Sequence, residues 1–360
     1  MRTGFIILLL AVVLLTGYVG WHLWRMTPWG WAGKLAVVGL FLLWMASAFC
    51  TFGFAERLPV RWATVLYEVG HPWMIAFLYL LVIFLVTDLA TLCRILPKSF
   101  THDSVAGFCT VFGLVAILLT AGHFHYLNKH REELTIRTDK PLERPLTIVL
   151  ASDLHLGYHN RKPELERWID MIQAENPDLV LLAGDIIDMR LRPVLEGNYA
   201  EAFQRLQAPV WAVPGNHDYY SHLEEAKDFF RKAGITLLQD TVLDFAGIRV
   251  VGRDDRTNPD RKALSALADT PEKFTLLLDH QPYHLEEAEA SGVDFQFSGH
   301  THRGQVWPLS WVTDALYEKS WGHHQRGSTR YYVSSGLGIW GPTIRIGTRS
   351  EYLVLHLSDK

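Results

Sequence analysis

Residues 146–155 read LTIVLASDLH, an apolar run that ends in two side chains able to bind metal, Asp153 and His155. The arrangement recurs downstream, as LVLLAGD at residues 179–185 and VWAVPGNHD at residues 210–218. Each run is short and apolar, as buried strands are. Polar residues that follow parallel strands gather at one edge of the sheet, because the carboxyl ends of these strands lie side by side. The stretch therefore predicts an α/β domain with a site at that edge.

Amphipathic segments separate these runs. Helices are predicted at residues 163–174, 199–206 and 222–233. Further strands are predicted at residues 248–251, 274–278, 295–297, 331–334 and 352–357, with shorter or missing helices between them. The alternation is typical of a largely parallel sheet, and the later strands favour a second, mixed sheet packed on the first. The predicted C-terminal fold is therefore an α/β domain of two packed mixed sheets flanked by helices.

The first third of the chain has a different composition. Four apolar runs, at residues 5–23, 35–54, 73–92 and 105–121, each approach the ~20 residues that a helix needs to cross a bilayer. We predict an all-α region of four transmembrane helices; buried soluble helices and, for the first run, a cleaved signal peptide are the less favoured alternatives. Asp88 is the charged residue inside these runs, and it is either functional or a side chain that reaches water at the end of a span.

Composition divides the chain into three segments. Residues 1–125 are predicted as the transmembrane region, residues 126–145 as a linker, and residues 146–360 as the soluble domain. The charged stretch NKHREELTIRTDKPLER at residues 128–144 fits either a linker or an edge strand. The net charge of the chain is −4, so no nucleic-acid partner is expected.

Side chains suited to metal binding follow five of the predicted strands. They are Asp153, His155, Asp185, Asn216, His280, His300 and His302. We expect Asp153 and His155, and likewise His300 and His302, to share a pocket, because alternate residues of a continued strand point to the same side. No cysteine occurs after residue 109, so the donors are oxygen and nitrogen. This set predicts a site for two divalent metal ions, with manganese, iron or zinc favoured over copper.

The motifs SDLH, GDIID, GNHD, a downstream DH and SGHTH resemble those of the calcineurin-like metallophosphoesterases, over residues 146–360. The resemblance implies that Asp153, His155, Asp185 and His302 hold one metal ion. It implies that Asp185, Asn216, His280 and His300 hold the other, so that Asp185 bridges the two ions. His217 would be the catalytic imidazole, and Asp188, Asp218 or Asp279 are candidates to orient an imidazole ring.

Three further motifs, GHTHRGQ at residues 299–305, VSSGLG at residues 333–338 and RSE at residues 349–351, are similar to a membrane-anchored bacterial subgroup of this family. Some members of that subgroup cleave the pyrophosphate of a UDP-2,3-diacylglucosamine lipid precursor, and others are manganese-dependent phosphodiesterases. The resemblance implies manganese as the cofactor and a lipid-linked or nucleotide-lipid phosphate as the substrate. Four predicted spans are more than the single anchor of many members.

The sequence thus predicts an integral protein of a bacterial-type plasma (inner) membrane that hydrolyses a phosphodiester or pyrophosphate bond. Two metal ions would polarise a bridging water toward hydroxide, and His217 would protonate the leaving group. A nuclease or cyclic-nucleotide phosphodiesterase on the same scaffold, and a non-catalytic membrane scaffold or sensor, are the alternatives. Lys and Arg in the loops weakly favour a cytoplasmic catalytic domain. The aromatic and basic residues between positions 303 and 341 form either a lipid-binding pocket or the core of the second sheet.

Overall fold

The computed structural model describes residues 2–268 and 272–360, apart from the side chains of residues 2–6, 8 and 9. The chain divides into two compact units, residues 1–123 and 124–360. Its N-terminal part is helical, with α1 (Arg2–Met26), α2 (Trp31–Phe54), α3 (Val60–Gly70), α4 (Pro72–Leu92), α5 (Lys98–Thr101) and α6 (Val105–Leu127). Helix α3 was not predicted, because Arg61 and Glu68 interrupt its hydropathy.

Within the described residues, three helical stretches are long and apolar enough to cross a membrane. They are Trp31–Arg57, Val60–Leu92 and Val105–Leu127. They contain the second, third and fourth of the predicted apolar runs. The first predicted run, residues 5–23, lies within α1, and part of it falls outside the described side chains. A fourth span therefore stays a prediction.

Asp88 has three partners on α1. The Tyr18 hydroxyl donates to its Oδ2 at 2.8 Å, and His22 Nε2 lies 3.0 Å from the same oxygen. The Arg25 guanidinium lies 3.4 Å from Oδ1. The carboxylate side chain is 39% exposed, so Asp88 is a paired group that joins α4 to α1 rather than an isolated charge.

Among its described residues, the second unit contains twelve strands and seven α-helices. The strands are β1 (Lys129–Thr138), β2 (Leu146–Ala151), β3 (Leu179–Ala183), β4 (Val210–Val213), β5 (Ile235–Leu237), β6 (Thr241–Phe245), β7 (Ile248–Gly252), β8 (Phe274–Leu278), β9 (Phe295–Ser298), β10 (Gly322–Arg326), β11 (Thr329–Val333) and β12 (Ser350–Asp359). The helices are α7 (Lys162–Ala174), α8 (Arg192–Glu196), α9 (Ala200–Phe203), α10 (Asn216–Tyr220), α11 (Leu223–Lys232), α12 (Leu285–Ala290) and α13 (Leu309–Leu316). Strands β5, β6 and β10 escaped prediction because they are short or polar.

The strands form two mixed sheets, as predicted, and each of them has six of the described strands. The first has the order β1-β12-β2-β3-β4-β5, in which β2 to β5 are parallel and β12 is antiparallel to β2. The second has the order β10-β11-β9-β8-β7-β6, in which β7, β8, β9 and β11 are parallel. Residues 129–138, within the stretch that fits a linker or an edge strand, form edge strand β1, which pairs with β12.

The two faces of the first sheet are both covered. Ile148 and Leu150 of β2 pack with Leu276 and Phe297 of the second sheet in one core. The alternate β2 residues, Val149 and Ala151, join a second core with residues of α7, α9 and α11. Burial on both faces explains why the parallel strands read as continuous apolar runs. It also leaves the loops at the strand ends as the place where polar side chains can gather.

Candidate metal centre

The predicted ligands follow the carboxyl ends of β2, β3, β4, β8 and β9, and the structure brings them together. Asp153, His155 and His280 are 0% exposed and Asp185 is 1% exposed. Asn216 and His302 are also buried, and His300 is half-buried. Buried charged groups are costly unless they are paired or bind metal. This concentration of buried polar side chains is therefore typical of a metal site.

One group of potential ligands comprises Asp153, His155 and His302. The Nε2 atoms of His155 and His302 lie 3.0 Å apart. Oδ1 of Asp153 lies 3.9 Å from the first of these nitrogens and 3.5 Å from the second. The three side chains thus converge on one point.

A second group comprises Asp185, His280 and His300. Oδ2 of Asp185 lies 3.2 Å from His280 Nε2 and 3.6 Å from His155 Nε2. The rings of His280 and His300 are 5.2 Å apart. Asp185 therefore lies between the two groups, as a bridging ligand would.

His217 also approaches the cluster. Its Nδ1 lies 3.0 Å from Oδ1 of Asp188, and its ring is 4.6 Å from that of His155. It forms a third possible ligand group with His155 and Asp185. Asp188 also lies 3.5 Å from Nδ1 of His155, but this nitrogen makes no hydrogen bond among the described residues, so the hydrogen bond of the carboxylate is to His217.

The other two carboxylates that were candidates to orient an imidazole do something else. Asp218 accepts backbone hydrogen bonds from Gly215 and Ile187, at 2.8 and 2.9 Å, and so ties the loop after β3 to the loop after β4. Burial, and then the charge of Asp185, raise the pKa of Asp218 to about 6. Asp279 pairs with Arg253 and Arg261. Asp188 alone fits the predicted role.

Asp153 and His155 were expected to share a pocket through a continued strand pleat, as were His300 and His302. This part of the prediction is wrong. Strands β2 and β9 end before these residues, so no strand pleat continues through them. The φ angles of Asp153 and His155 are 55° and 45°, and those of His300 and His302 are 71° and 46°. Left-handed backbone is unfavourable for residues with a side chain and persists where surrounding contacts impose it. The side chains are therefore aimed by tight turns.

Glycines make room for the ligand carboxylates. A Cβ atom at Gly215 would collide with Oδ1 of Asp185, and one at Gly299 would collide with Oδ2 of Asp153. Gly184 has a φ of 81°, and a Cβ there would lie 2.7 Å from Nδ1 of His280. The glycines that precede the ligands are required because the carboxylates and the imidazole pack directly on backbone.

The charges of the cluster favour ionised Asp185. Burial alone would raise the pKa of this carboxyl, but His280 holds it well below the usual range. Burial, followed by the repulsion of His280, lowers the pKa of His300 to about 4. Burial, and then the charge repulsion of His155, lower the pKa of His302 well below its usual value. His300 and His302 are thus neutral at physiological pH, the form in which imidazole binds metal.

The donor atoms fit divalent cations. The Nδ1–H of His280 donates to the carbonyl of Ala183 at 2.7 Å, so Nε2, which faces Asp185, is the nitrogen that would bind a metal ion in place of its proton. Among the described residues, His280 Nε2 and Asn216 Oδ1 are buried without a hydrogen-bond partner. Buried polar atoms are rarely left unpaired, and a metal ion would satisfy both.

Two buried residues that hold the site were not predicted. Asn160 donates from Nδ2 to the carbonyls of His155 and Ile339, at 3.0 and 2.8 Å. The fully buried guanidinium of Arg345 donates to the carbonyls of His302 and Gly338, both at 3.0 Å. An asparagine or arginine that will be buried looks the same in sequence as one on the surface, so nothing in the motifs distinguishes these two.

Aromatic side chains border the cluster on two sides. Tyr220 and Trp340 lie 5.4 and 6.3 Å from the ring of His217. Tyr317 lies 6.2 Å from the ring of His300 and contacts Tyr283, over which the Arg256 guanidinium is placed at 4.7 Å. Trp307, Trp311 and Trp340 are exposed, so they do not form the core of the second sheet.

Known proteins share this pattern. The sequence profile of the calcineurin-like phosphoesterase family matches residues 146–304. The uncharacterized metallophosphoesterase YkuE of Bacillus subtilis is 31% identical over 274 residues, which cover 69% of this chain and 95% of that protein. A transmembrane protein with a metallophosphoesterase domain from Danio rerio is 27% identical over 354 residues, covering 88% of this chain and 78% of that protein.

A metallophosphoesterase of Campylobacter jejuni is 32% identical over 231 residues, which cover 61% of this chain and 61% of that protein. The chain likewise spans 64% of the length of two Helicobacter pylori relatives.

Proposed function

Since the chain belongs to the calcineurin-like phosphoesterase family, we propose that it is a metal-dependent phosphoric ester hydrolase anchored in a membrane. The bond cleaved is a phosphodiester or pyrophosphate, and the substrate is lipid-linked or a nucleotide-lipid. The observation that carries the proposal is the buried convergence of Asp153, Asp185, His280 and their neighbours at one sheet edge. Carboxylates and imidazoles without thiolates favour divalent cations such as manganese, iron or zinc. Manganese is preferred among them because of the resemblance to manganese-dependent phosphodiesterases.

Each ligand has a place in this proposal. Asp153, His155 and His302 hold one ion, and Asn216, His280 and His300 hold the other, with Asp185 between them. When bound, two such ions polarise the phosphoryl group and activate water for in-line attack. The chain's own part is to fix the donors in buried turns, so that the site is formed before substrate arrives.

His217 supplies the leaving-group proton in this proposal. Asp188 faces Nδ1 of His217, so Nε2 is the nitrogen that carries the transferable proton. The ring is half-buried beside the cluster, within reach of a phosphoester bound there. General acid catalysis by a positioned imidazole contributes about 10²- to 10⁴-fold in rate.

Anchoring in a bilayer supports a lipid-linked substrate. Enzyme and substrate then share a surface, which raises their effective concentration without any new contact. In this proposal residues 1–125 anchor the protein in a bacterial-type inner membrane, residues 126–145 join the two parts, and residues 146–360 carry out hydrolysis on the cytoplasmic side.

The test uses the full chain in lipid nanodiscs and a chromogenic phosphodiester, with manganese, iron or zinc added in turn. We expect activity that requires metal and is lost in Asp185→Asn and His217→Ala. The matched surface variants Asp228→Asn and His324→Ala should retain it. Full activity in Asp185→Asn would overturn the assigned centre.

A substrate panel then separates the alternatives. Lipid extract, a nucleotide-lipid, a cyclic nucleotide and single-stranded DNA are compared under the same conditions. Preferential hydrolysis of the lipid substrates, detected as new phosphomonoester products, is expected. Preference for DNA or the cyclic nucleotide would replace the lipid-linked substrate, and absence of both metal binding and hydrolysis would favour a scaffold or sensor.

A further inference from the structure

Helix α13, which follows the last predicted metal ligand His302, exposes apolar side chains to an unusual extent. Trp311 is 64% exposed, Val312 53% and Leu316 68%. Leu309 is 40% exposed, and Trp307, just before the helix, is 39% exposed. Large apolar side chains gathered in one place on a soluble surface mark an interaction site.

The polarity of α13 is inverted. At about 100° per residue, Leu309, Trp311, Val312, Ala315 and Leu316 fall on one half of the helix. Ser310, Thr313 and Asp314 fall on the other half. Ser310 is the buried member of the helix, and Asp314 is exposed but accepts a hydrogen bond from the Ser320 hydroxyl. The helix therefore contacts the protein at Ser310 on its polar side, and its apolar side faces outward.

Helix α11 provides the contrast within the same unit. It buries Leu223, Ala226, Phe229 and Phe230 and directs its charged residues outward. This is the arrangement expected of a helix on a soluble domain. The orientation of α13 is therefore not a general property of the fold and requires a partner that is itself apolar.

The apolar face is continuous with the candidate metal centre. Tyr317 follows Leu316 directly and lies 6.2 Å from the ring of His300. Its hydroxyl is 3.0 Å from that of Tyr283. A partner that binds the apolar face of α13 would therefore lie next to the edge of the metal centre.

The rest of the chain indicates what the partner is. The same polypeptide contains three stretches apolar enough to span a membrane, so a bilayer is always close to this domain. Trp307 and Trp311 pack edge to face at 5.4 Å, and tryptophan is enriched where hydrocarbon meets headgroups. An eight-residue helix is too short to span, but an outward apolar face allows it to lie in the plane of the interface.

We propose that α13 is an interfacial helix, which inserts Trp307, Trp311, Val312 and Leu316 into the bilayer surface and holds the metal centre at headgroup level. Insertion rests on the membrane anchoring in the proposed function but not on the proposed hydrolysis. The consequence for catalysis does depend on it, because only a substrate whose phosphate lies at the membrane surface would benefit.

The test of insertion uses the full chain in nanodiscs of phosphatidylethanolamine and phosphatidylglycerol. Cys50, Cys93 and Cys109 are replaced by serine, and single cysteines at Trp311 or Leu316 carry a nitroxide spin label. Glu224 on α11, with an 81% exposed side chain, is the matched control position. We expect labels at positions 311 and 316 to be accessible to oxygen and protected from a water-soluble nickel complex, and the label at position 224 to show the reverse.

Two results would overturn the proposal. Labels at positions 311 and 316 that are as accessible to nickel as the control would leave α13 in water. Spin-spin broadening that disappears on dilution with unlabelled chain would mean that α13 binds a second copy instead.

A functional comparison separates this proposal from the function itself. In Leu316→Asp, the ratio of turnover on a bilayer-embedded phosphodiester to turnover on a soluble one should fall several-fold. Leu195→Asp, at a 46% exposed leucine on α8, should leave the ratio unchanged. If the unsubstituted chain cleaves neither substrate, the proposed hydrolysis fails while the spin-label result still decides insertion.

Discussion

Gly299 illustrates how closely backbone and ligand are fitted at the scale of single residues. A Cβ atom here would collide with the Asp153 carboxylate and lie 2.6 Å from the Ser152 hydroxyl. Asp153 has a left-handed backbone and is fully buried, so it has little freedom to move away. The ligand would have to turn from its partners His155 and His302.

We expect Gly299→Ala to weaken metal binding, because the displaced carboxylate no longer meets the imidazoles. Isothermal titration with manganese measures the affinity, and the melting temperature reports any general loss of stability. Gly39→Ala is the control, since a Cβ atom there meets nothing within 4 Å. An unchanged affinity in Gly299→Ala would contradict the close fit of Gly299 and Asp153.

Asp188 acts through the His217 imidazole, because its Oδ1 lies 3.0 Å from Nδ1 and accepts a hydrogen bond from that nitrogen. Burial lowers the pKa of His217, but the hydrogen bond to Asp188 and the charges of Asp185 and Asp188 together outweigh burial and raise it, so Asp188→Asn should lower this pKa and loosen the ring. Loss of such a partner costs about 10- to 100-fold in activity. Steady-state kinetics should show the loss in kcat with a shifted pH profile, whereas Asp170→Asn on the surface should match the parent protein. A normal kcat and pH profile would mean that His217 needs no orienting partner.

The gathering of the proposed ligand residues at one sheet edge was predictable, and the local geometry that brings them together was not. Asp153, Asp185 and His280 stand just after apolar runs, and this position in the sequence predicts that they lie at the edge of the sheet. The left-handed turns that aim them depend on contacts such as those of Asn160 and Arg345, which come from distant parts of the chain. A local pattern contains no record of such contacts.

At the scale of elements, the end of α6 is tied to the metal centre. Tyr126 is 1% exposed, and its hydroxyl donates to Oδ1 of Asn160 at 2.6 Å. Asn160 in turn donates to the carbonyl of the ligand residue His155. Two hydrogen bonds therefore connect the last turn of a candidate membrane span to the loop after β2.

Tyr126→Phe should leave Asn160 Oδ1 buried and unpaired, at a cost of about 1–3 kcal/mol in unfolding free energy. Metal affinity should also fall, because the loop that carries His155 loses its support. Tyr331→Phe removes a comparable hydrogen bond to Leu285, and should lower stability alone. Urea denaturation and metal titration of both variants test the prediction. Equal metal affinities in Tyr126→Phe and Tyr331→Phe would show that the hydrogen bond from Tyr126 does not support the metal centre.

Elements with strong periodicity were predicted well, and weak ones were missed. Strands β2, β3, β4 and β8 coincide with predicted apolar runs, because burial on both faces makes them continuously apolar. Strand β10 has the sequence GHHQR and forms through pairing with β11, which supplies what its own residues do not. Helix α3 was missed for a similar reason, because polar residues such as Arg61 and Glu68 interrupt its apolar pattern.

At the scale of the whole molecule, the number of spans determines which side of the membrane each end occupies. If α1 crosses together with the three stretches found, the N-terminus and the catalytic domain lie on the same side. If α1 does not cross, they lie on opposite sides. The flanking charges barely discriminate, since Arg2, Arg57, Arg61, Lys129 and Arg131 on one side face Arg25, Lys34, Arg94 and Lys98 on the other in the four-span arrangement.

We expect four spans, because α1 is 25 residues long and its pairing of Tyr18, His22 and Arg25 with Asp88 places it beside α4. We expect the catalytic domain in the cytoplasm, because its side of the membrane has the slightly larger number of flanking Lys and Arg residues. Green fluorescent protein fused to either end should then fluoresce, since it folds in the cytoplasm. Alkaline phosphatase fused after residue 97 should be active, because that loop would be periplasmic. Fluorescence at the C-terminus alone would reduce the spans to three and leave α1 on the cell's outer face.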